Sequence, residues 1–192
     1  MRIFVAGASG VIGVRLVPLL VAAEHDVAGM TRTQAKREQL GALGAAPVVC
    51  DVFDVESLRV AVDTFAPDVV VHQLTDLPDD HAHVREMAAA NARMRREGTR
   101  NLVAAAGAAG ARVVAQSVAW QVPGDGGAAV EEHERAVLGA SGVVVRYGRL
   151  YGPGTYFESV LPPPPRLHVD AAAHRTLPVL DAPSGVIVVT EE

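Results

Sequence analysis

The sequence is short of several things, and each shortage excludes a class of protein. A single cysteine, Cys50, among 192 residues rules out an intrachain disulfide and a thiolate metal cage, and it suits a reducing compartment. Basic charge is scarce too: 17 lysines and arginines against 22 acids leave a net charge of −5, a poor match for nucleic acid or an anionic membrane surface. No apolar run approaches the ~20 residues of a membrane span. Met1 leads at once into an extended apolar segment instead of a basic and then apolar leader, so a cytoplasmic location is expected. Lysine has all but vanished, Lys36 being the one in the chain. Hydrophobic residues are not short: at 49% they can build a substantial core, for one domain with a small appendage.

The segment Arg2 to Gly13, RIFVAGASGVIG, organises the rest. Ile3, Phe4 and Val5 suit a buried parallel strand, and the pattern then breaks into glycines spaced G-x-x-G-x-x-G before resuming as an amphipathic helix over 11–23, with Pro18 expected to kink it. Gly7, Gly10 and Gly13 remove the Cβ where a chain must turn sharply, approach a ligand and pack helix on strand. The free N–H groups of the first helical turn and the positive end of the helix dipole make a site for a pyrophosphate, with Ser9, Val11 and Ile12 as further contacts. A strand before this loop and a helix after it are the context that a dinucleotide motif requires.

Strands are predicted at 26–30, 46–50, 68–72, 112–115 and 143–147, alternating with helices; this is the pattern of an α/β, Rossmann-like, doubly wound parallel sheet. Where the second strand of such a sheet ends, an acidic residue would bind the ribose hydroxyls of NAD. Here the chain reads Thr31-Arg32-Thr33, and Arg32 can pair with a 2′-phosphate instead, so NADP(H) is preferred over NAD(H). The alternative is that Arg32, Lys36 and Arg37 form a solvated face. Asp54 is the better candidate than Asp51 for capping the helix over 54–65. His72 is expected to be packed at a strand end. One long helix is predicted over 81–108; its Arg93, Arg95, Arg96 and Arg100 read as a solvated face, and His81 and His83, two apart, do not share a helical face, so no metal site is expected. The run 123–127 reads as a flexible loop, with Glu131 to Glu134 opening the next helix as dipole-favoured acids.

The glycine spacing resembles the short-chain dehydrogenase/reductase superfamily, in particular its extended branch of sugar-nucleotide epimerases and dehydratases. Gly98-Thr99-Arg100-Asn101-Leu102 is similar to the G-T-x-N-L of that branch, and Arg146 with Tyr151-Gly152-Pro153 to its R-x-x-x-x-Y-G-P turn. Gln116-Ser117 with Trp120 resembles the sub-group of NAD-dependent epimerase/dehydratase proteins. The resemblance implies that Asp51 caps the adenine amino group with Val52 beside it, that Leu74 and Thr75 lie beside the nicotinamide ribose, and that Ser117 holds a substrate oxygen. It also implies a dinucleotide-binding unit over 1–154, a shortened remnant of a substrate domain over 155–192 interrupted by Pro162 to Pro165, and a homodimer through the helix at 81–108 and the one after it. The Tyr-x-x-x-Lys pair that defines catalysis in the superfamily, a phenol whose pKa an ammonium lowers, has no counterpart. Its positions fall near Gly126 and Val130. Two functions stay open: an oxidoreductase or epimerase on a small carbonyl or sugar-type substrate, with Ser117 and Tyr151, His133 or a water as the acting groups, and a non-catalytic NADP(H)-binding sensor or regulator. A degenerate chain with neither activity is the blandest alternative.

Overall fold

The computed structural model describes residues 1–78 and 80–191. Seven strands form one wholly parallel sheet: β1 (Arg2–Ala6), β2 (Asp26–Thr31), β3 (Ala46–Val49), β4 (Val69–His72), β5 (Arg112–Val118), β6 (Val143–Tyr147) and, past a short two-stranded pair, β9 (Gly185–Val189). The pair is β7 (Arg149–Tyr151) with β8 (Arg166–His168). The large sheet runs in the order β3-β2-β1-β4-β5-β6-β9, so the winding direction reverses between β1 and β4. Doubly wound sheets place ligands at such a reversal.

Side chains alternate along each strand, which divides the core into two layers. Ile3, Val5, Val69, Val71, Val143 and Val145 point to one face. There they meet α1 (Gly13–Ala22), α2 (Arg37–Ala42) and α7 (Val169–Thr176) through Leu16, Leu20, Leu40 and Ala172. Phe4, Ala6, Val70 and Val144 point to the other, against α3 (Val55–Phe65), α5 (Thr99–Ala108) and α6 (Gly124–Gly139) through Leu58, Val62, Leu102, Ala106 and Val137. Apolar runs such as Val69-Val70-Val71 follow from this: a strand covered on both faces gives up polar alternation. Asp54 caps α3 by accepting from the Ser57 N–H at 3.1 Å, as its spacing predicts.

Helix α1 includes Pro18, whose ring is exposed. Two expectations need correction. The single helix over 81–108 is instead a 3-10 turn at His81–His83, α4 (Ala88–Arg93), a π turn at Met94–Gly98 and then α5. Gly98 sits where a Cβ would come within 2.8 Å of the Met94 sulfur and 3.3 Å of Val52, so close packing against the loop after β3 shapes that turn. The run 123–127 is not a loop: α6 begins at Gly124, and Glu131 to Glu134 lie in its interior. Its glycines answer to contact, because a Cβ on Gly127 would be 2.1 Å from the Val122 carbonyl oxygen. Arg96 reaches across from the π turn to pair with Asp125 at 2.7 Å and Glu132 at 2.8 Å, tying down a first turn that composition alone would leave open.

After β7 the chain passes over the sheet's carboxyl end and returns. Arg15 of α1 pairs with Asp170 of α7 at 2.7 Å, and β9 takes the edge beside β6.

Candidate functional site

A cleft of about 1010 Å³ opens along the carboxyl ends of β1, β2, β4, β5 and β6. At one end lies the glycine loop, with Gly7, Ser9, Gly10, Val11 and Ile12 in the wall. Gly7 has φ +88°, and a Cβ there would press to 2.8 Å from the Gln73 backbone. Gly13 lies beneath the wall: its Cβ would fall 2.4 Å from the Gly7 carbonyl oxygen and 2.6 Å from that of Ala8, so this glycine is required by packing of loop against helix. The backbone N–H groups of Val11 and Ile12 donate to no acceptor among the described residues, and Ile12 is the N-cap of α1. Two open donors at a helix start beside a loop stripped of Cβ atoms fit a pyrophosphate group.

Thr31, Arg32, Asp51 and Val52 line the next stretch. The Ser9 hydroxyl donates to Thr31 Oγ1 at 3.1 Å, while Arg32, 59% exposed, pairs with Asp76 at 2.9 Å. Asp51 accepts from the Phe53 N–H at 3.0 Å, and Asn101 of the G-T-x-N-L run donates to the Val52 carbonyl at 3.0 Å, fixing the loop on which both sit. Leu74 and Thr75 follow at the end of β4, also in the wall.

At the far end Ser117 is in the wall but is itself buried. Its hydroxyl donates to Glu134 Oε1 at 2.5 Å, and Arg146 grips the same carboxylate through Nε at 2.9 Å and Nη2 at 2.5 Å. Burial pushes the Glu134 carboxyl up, but the bonds from Arg146 and Ser117 outweigh it and hold the group below its usual range, hence ionised. An ionised acceptor fixes the direction of the bond: the Ser117 proton points at Glu134, and only lone pairs remain for a ligand in the cleft.

Behind Ser117 lies a buried chain of neutral groups. The Leu74 N–H donates to His72 Nδ1 at 3.2 Å, so His72 carries its proton on Nε2 and donates it to Thr99 Oγ1 at 3.0 Å. Thr99 in turn donates to His133 Nδ1 at 2.7 Å, and His133 Nε2 donates to the Gln116 carbonyl at 2.9 Å. Both backbone anchors thus impose one tautomer on each ring. Burial, and after it the nearby Arg95 charge, brings His133 down to about 4, while burial, then His133 and Arg95, takes His72 well below its usual value. His72 is packed as expected; His133 is held for the same reason and does not reach the cleft wall.

Two predicted residues stand apart. Tyr151 lies outside the wall and donates its hydroxyl to Glu191 at 2.6 Å, a bond that raises its pKa. Arg146 is likewise outside the wall and acts on Glu134. The sequence reading missed Arg95. The sequence places it on a solvated face, yet it lines the cleft with Ala88, Asn91 and Ala92, a stripe at helical spacing that continues to buried Thr99. That spacing was the available signal. Gly126 and Val130, four apart on α6, also face the cleft.

Comparison with known proteins agrees with this geometry. The model of the NAD dependent epimerase/dehydratase family matches residues 3–136. A curated relative from a Streptomyces species, 3-diazoavenalumate denitrifying reductase, is 42% identical over 180 residues, covering 81% of this chain; the chain spans 58% of that relative's length. Among solved structures, the Thermus thermophilus UDP-glucose 4-epimerase in complex with NAD has a TM-score of 0.82 at 21% identity, over 99% of this chain and 78% of that one. The UDP-glucose 4-epimerase of Thermotoga maritima, solved with UDP-glucose, has a TM-score of 0.81 at 18% identity, over 99% and 77%. At these identities the two structures speak for the fold. Among the described residues no helix is long and apolar enough to cross a membrane.

Proposed function

The chain belongs to the NAD dependent epimerase/dehydratase family, and from that premise we propose that it is a nicotinamide-dinucleotide-dependent reductase of a small molecule. The observation that carries this reading is one continuous cleft running from the open N–H groups of the glycine loop to Ser117 and its ionised partner Glu134. In it Gly10, Val11 and Ile12 hold the pyrophosphate, Asp51 and Val52 the adenine, Thr31 and Arg32 the adenosine ribose, and Leu74 and Thr75 the nicotinamide ribose. The bound dinucleotide supplies hydride. Residues 1–154 supply the surface that holds it, and α7 and β9 of the following segment complete the same core and sheet.

The proton inventory supports a particular kind of reduction. Carbonyl reduction leaves an alkoxide that must be protonated, but the chain has no tyrosine–lysine pair and the Ser117 proton is committed to Glu134. Replacing a diazonium group by hydrogen needs no such donor: R–N2+ takes up hydride to give R–H and N2. The name of the Streptomyces relative, a denitrifying reductase of a diazo compound, favours this chemistry over a sugar-type substrate. Ser117 then offers a lone pair to the cationic substrate, its own proton being held by Glu134. The test is turnover of an arenediazonium salt with NADPH deuterated at the nicotinamide C4. Deuterium in the arene, with dinitrogen release absent from a Gly10→Glu control, is expected; equal reaction in both contradicts the proposal.

We further propose NADP over NAD, because Arg32 stands at the end of β2 with an exposed guanidinium that a 2′-phosphate can take from Asp76. Arg32→Asp is then expected to weaken NADPH about tenfold or more and NADH little; equal losses would remove Arg32 from that role. A second reading, a non-catalytic dinucleotide sensor, is favoured by the missing acid–base pair and would appear as tight binding with no turnover. A homodimer through the helices at 88–108 and 124–139 completes the proposal, and a monomer in micromolar sedimentation would count against it.

A further inference from the structure

Three arginines lie within four residues of one another around the π turn, and they behave differently. Arg93 pairs with Glu97 at 2.7 Å, and Arg96 with Asp125 and Glu132. Arg95 turns into the cleft, partly buried, and its guanidinium donates to no acceptor among the described residues. The acid that attracts it, Glu134, has its oxygens taken up by Arg146 and Ser117. A guanidinium partly withdrawn from water with no acceptor of its own is completed by a ligand that brings the anion. Its planar fork suits a carboxylate held by two parallel bonds.

The other walls narrow the ligand further. Aromatic residues are few, eight in the chain, yet four of them, Trp120, Tyr147, Tyr156 and Phe157, line this cleft. The His81 ring meets Tyr156 edge-on at 5.1 Å and Phe157 at 6.0 Å, which stiffens that wall, and the Tyr156 hydroxyl donates to the Pro78 carbonyl. Trp120 lines the same cleft, with the Arg149 guanidinium 4.9 Å from its ring. Flat walls of this kind bury an aromatic ring well.

We propose that the substrate is an aromatic carboxylic acid, its ring against Trp120, Tyr156 and Phe157 and its carboxylate on Arg95. This deepens the reductase reading and rests on it. An oxyanion at Arg95 has a second possible source, a phosphate of the dinucleotide, although the glycine loop already offers its N–H groups to that partner.

The test uses trans-cinnamate as the probe and cinnamamide as its uncharged counterpart, titrated into the whole protein with and without saturating NADPH. Cinnamate is expected to bind at least tenfold more tightly than the amide, a comparison that needs no variant. Arg95→Ala is expected to lose that tenfold preference, Arg95→Lys to keep part of it, and both to bind NADPH within about twofold of the parent. Equal binding of acid and amide, or unchanged cinnamate binding in Arg95→Ala, overturns the proposal. So does a tenfold loss of NADPH with cinnamate unaffected, which would assign Arg95 to the dinucleotide. If NADPH fails to bind while the cinnamate preference stands, the acid site survives and the reductase reading falls.

Discussion

The two ends of the cleft are built by different means. The glycine end is made of backbone: what matters at Gly7, Gly10 and Gly13 is the missing Cβ, and all three come from one contiguous segment. The Ser117 end is made of side chains brought from β5, α6, β6 and the π turn, with Glu134 gripped by Arg146 from 12 residues away and Ser117 from 17. A contiguous backbone device tolerates almost no substitution and almost any surroundings. An assembled cluster can lose one member and recruit another.

Several substitutions can break or sharpen that contrast, and the largest effect belongs to the backbone end. Gly13→Ala adds one carbon within 2.4 Å of one carbonyl oxygen and 2.6 Å of another, neither of which can step aside without moving the loop. A loss on the order of 4 kcal/mol, or no folded protein, is expected in chemical denaturation. A loss under about 1 kcal/mol would mean that the loop yields, and that its glycines are less constrained than their contacts imply.

Next comes the assembled end. Glu134→Ala strands the Arg146 guanidinium and the buried Ser117 hydroxyl. Because Arg146 is 41% exposed and water can reach it, the cost should be about 2 kcal/mol, below the range of a fully buried pair. Dinucleotide affinity should hardly change, since the loop that carries it is remote; a parallel collapse of binding would show that the two ends are one unit.

The last effect, absent at neutral pH, is a pH dependence. His133 titrates near its ordinary 6.5 when unfolded but at about 4 when folded, so as pH falls from 6.5 the unfolded chain takes up a proton that the folded one refuses. Stability is therefore intact above 6.5 and drains away between 6.5 and about 4, by roughly 3 kcal/mol from this residue. His133→Gln should flatten that slope in melts across the window. An unchanged slope would show that the ring is charged in the folded protein and that the tautomer chain through Thr99 is misassigned.

What could be read in the sequence follows the same division. The sheet, its parallel order and the glycine loop were legible because each is a local pattern: Val69-Val70-Val71 states its own burial, and Gly7 to Gly13 its own turn. Asp54 showed itself as a cap for the same reason. The start of α6 was not legible, because Gly124-Asp125-Gly126-Gly127 favours coil locally and is tied down by Arg96, a contact 29 residues away that no local window of sequence contains. Tyr151 matched a motif yet is turned to Glu191, which lies 40 residues on. Arg95 was hidden among three neighbouring arginines whose directions only the π turn separates.

The most direct measurement of the account is a titration of the protein with NADPH and with NADH, followed by quenching of Trp120, the one tryptophan and a residue of the cleft wall. Saturable quenching by both, tighter for NADPH and abolished by Gly10→Glu in a variant that remains folded, is the predicted result. No quenching and no nicotinamide signal with either would contradict it, leaving the glycine loop as a packing device and the cleft without the dinucleotide on which the proposed chemistry depends.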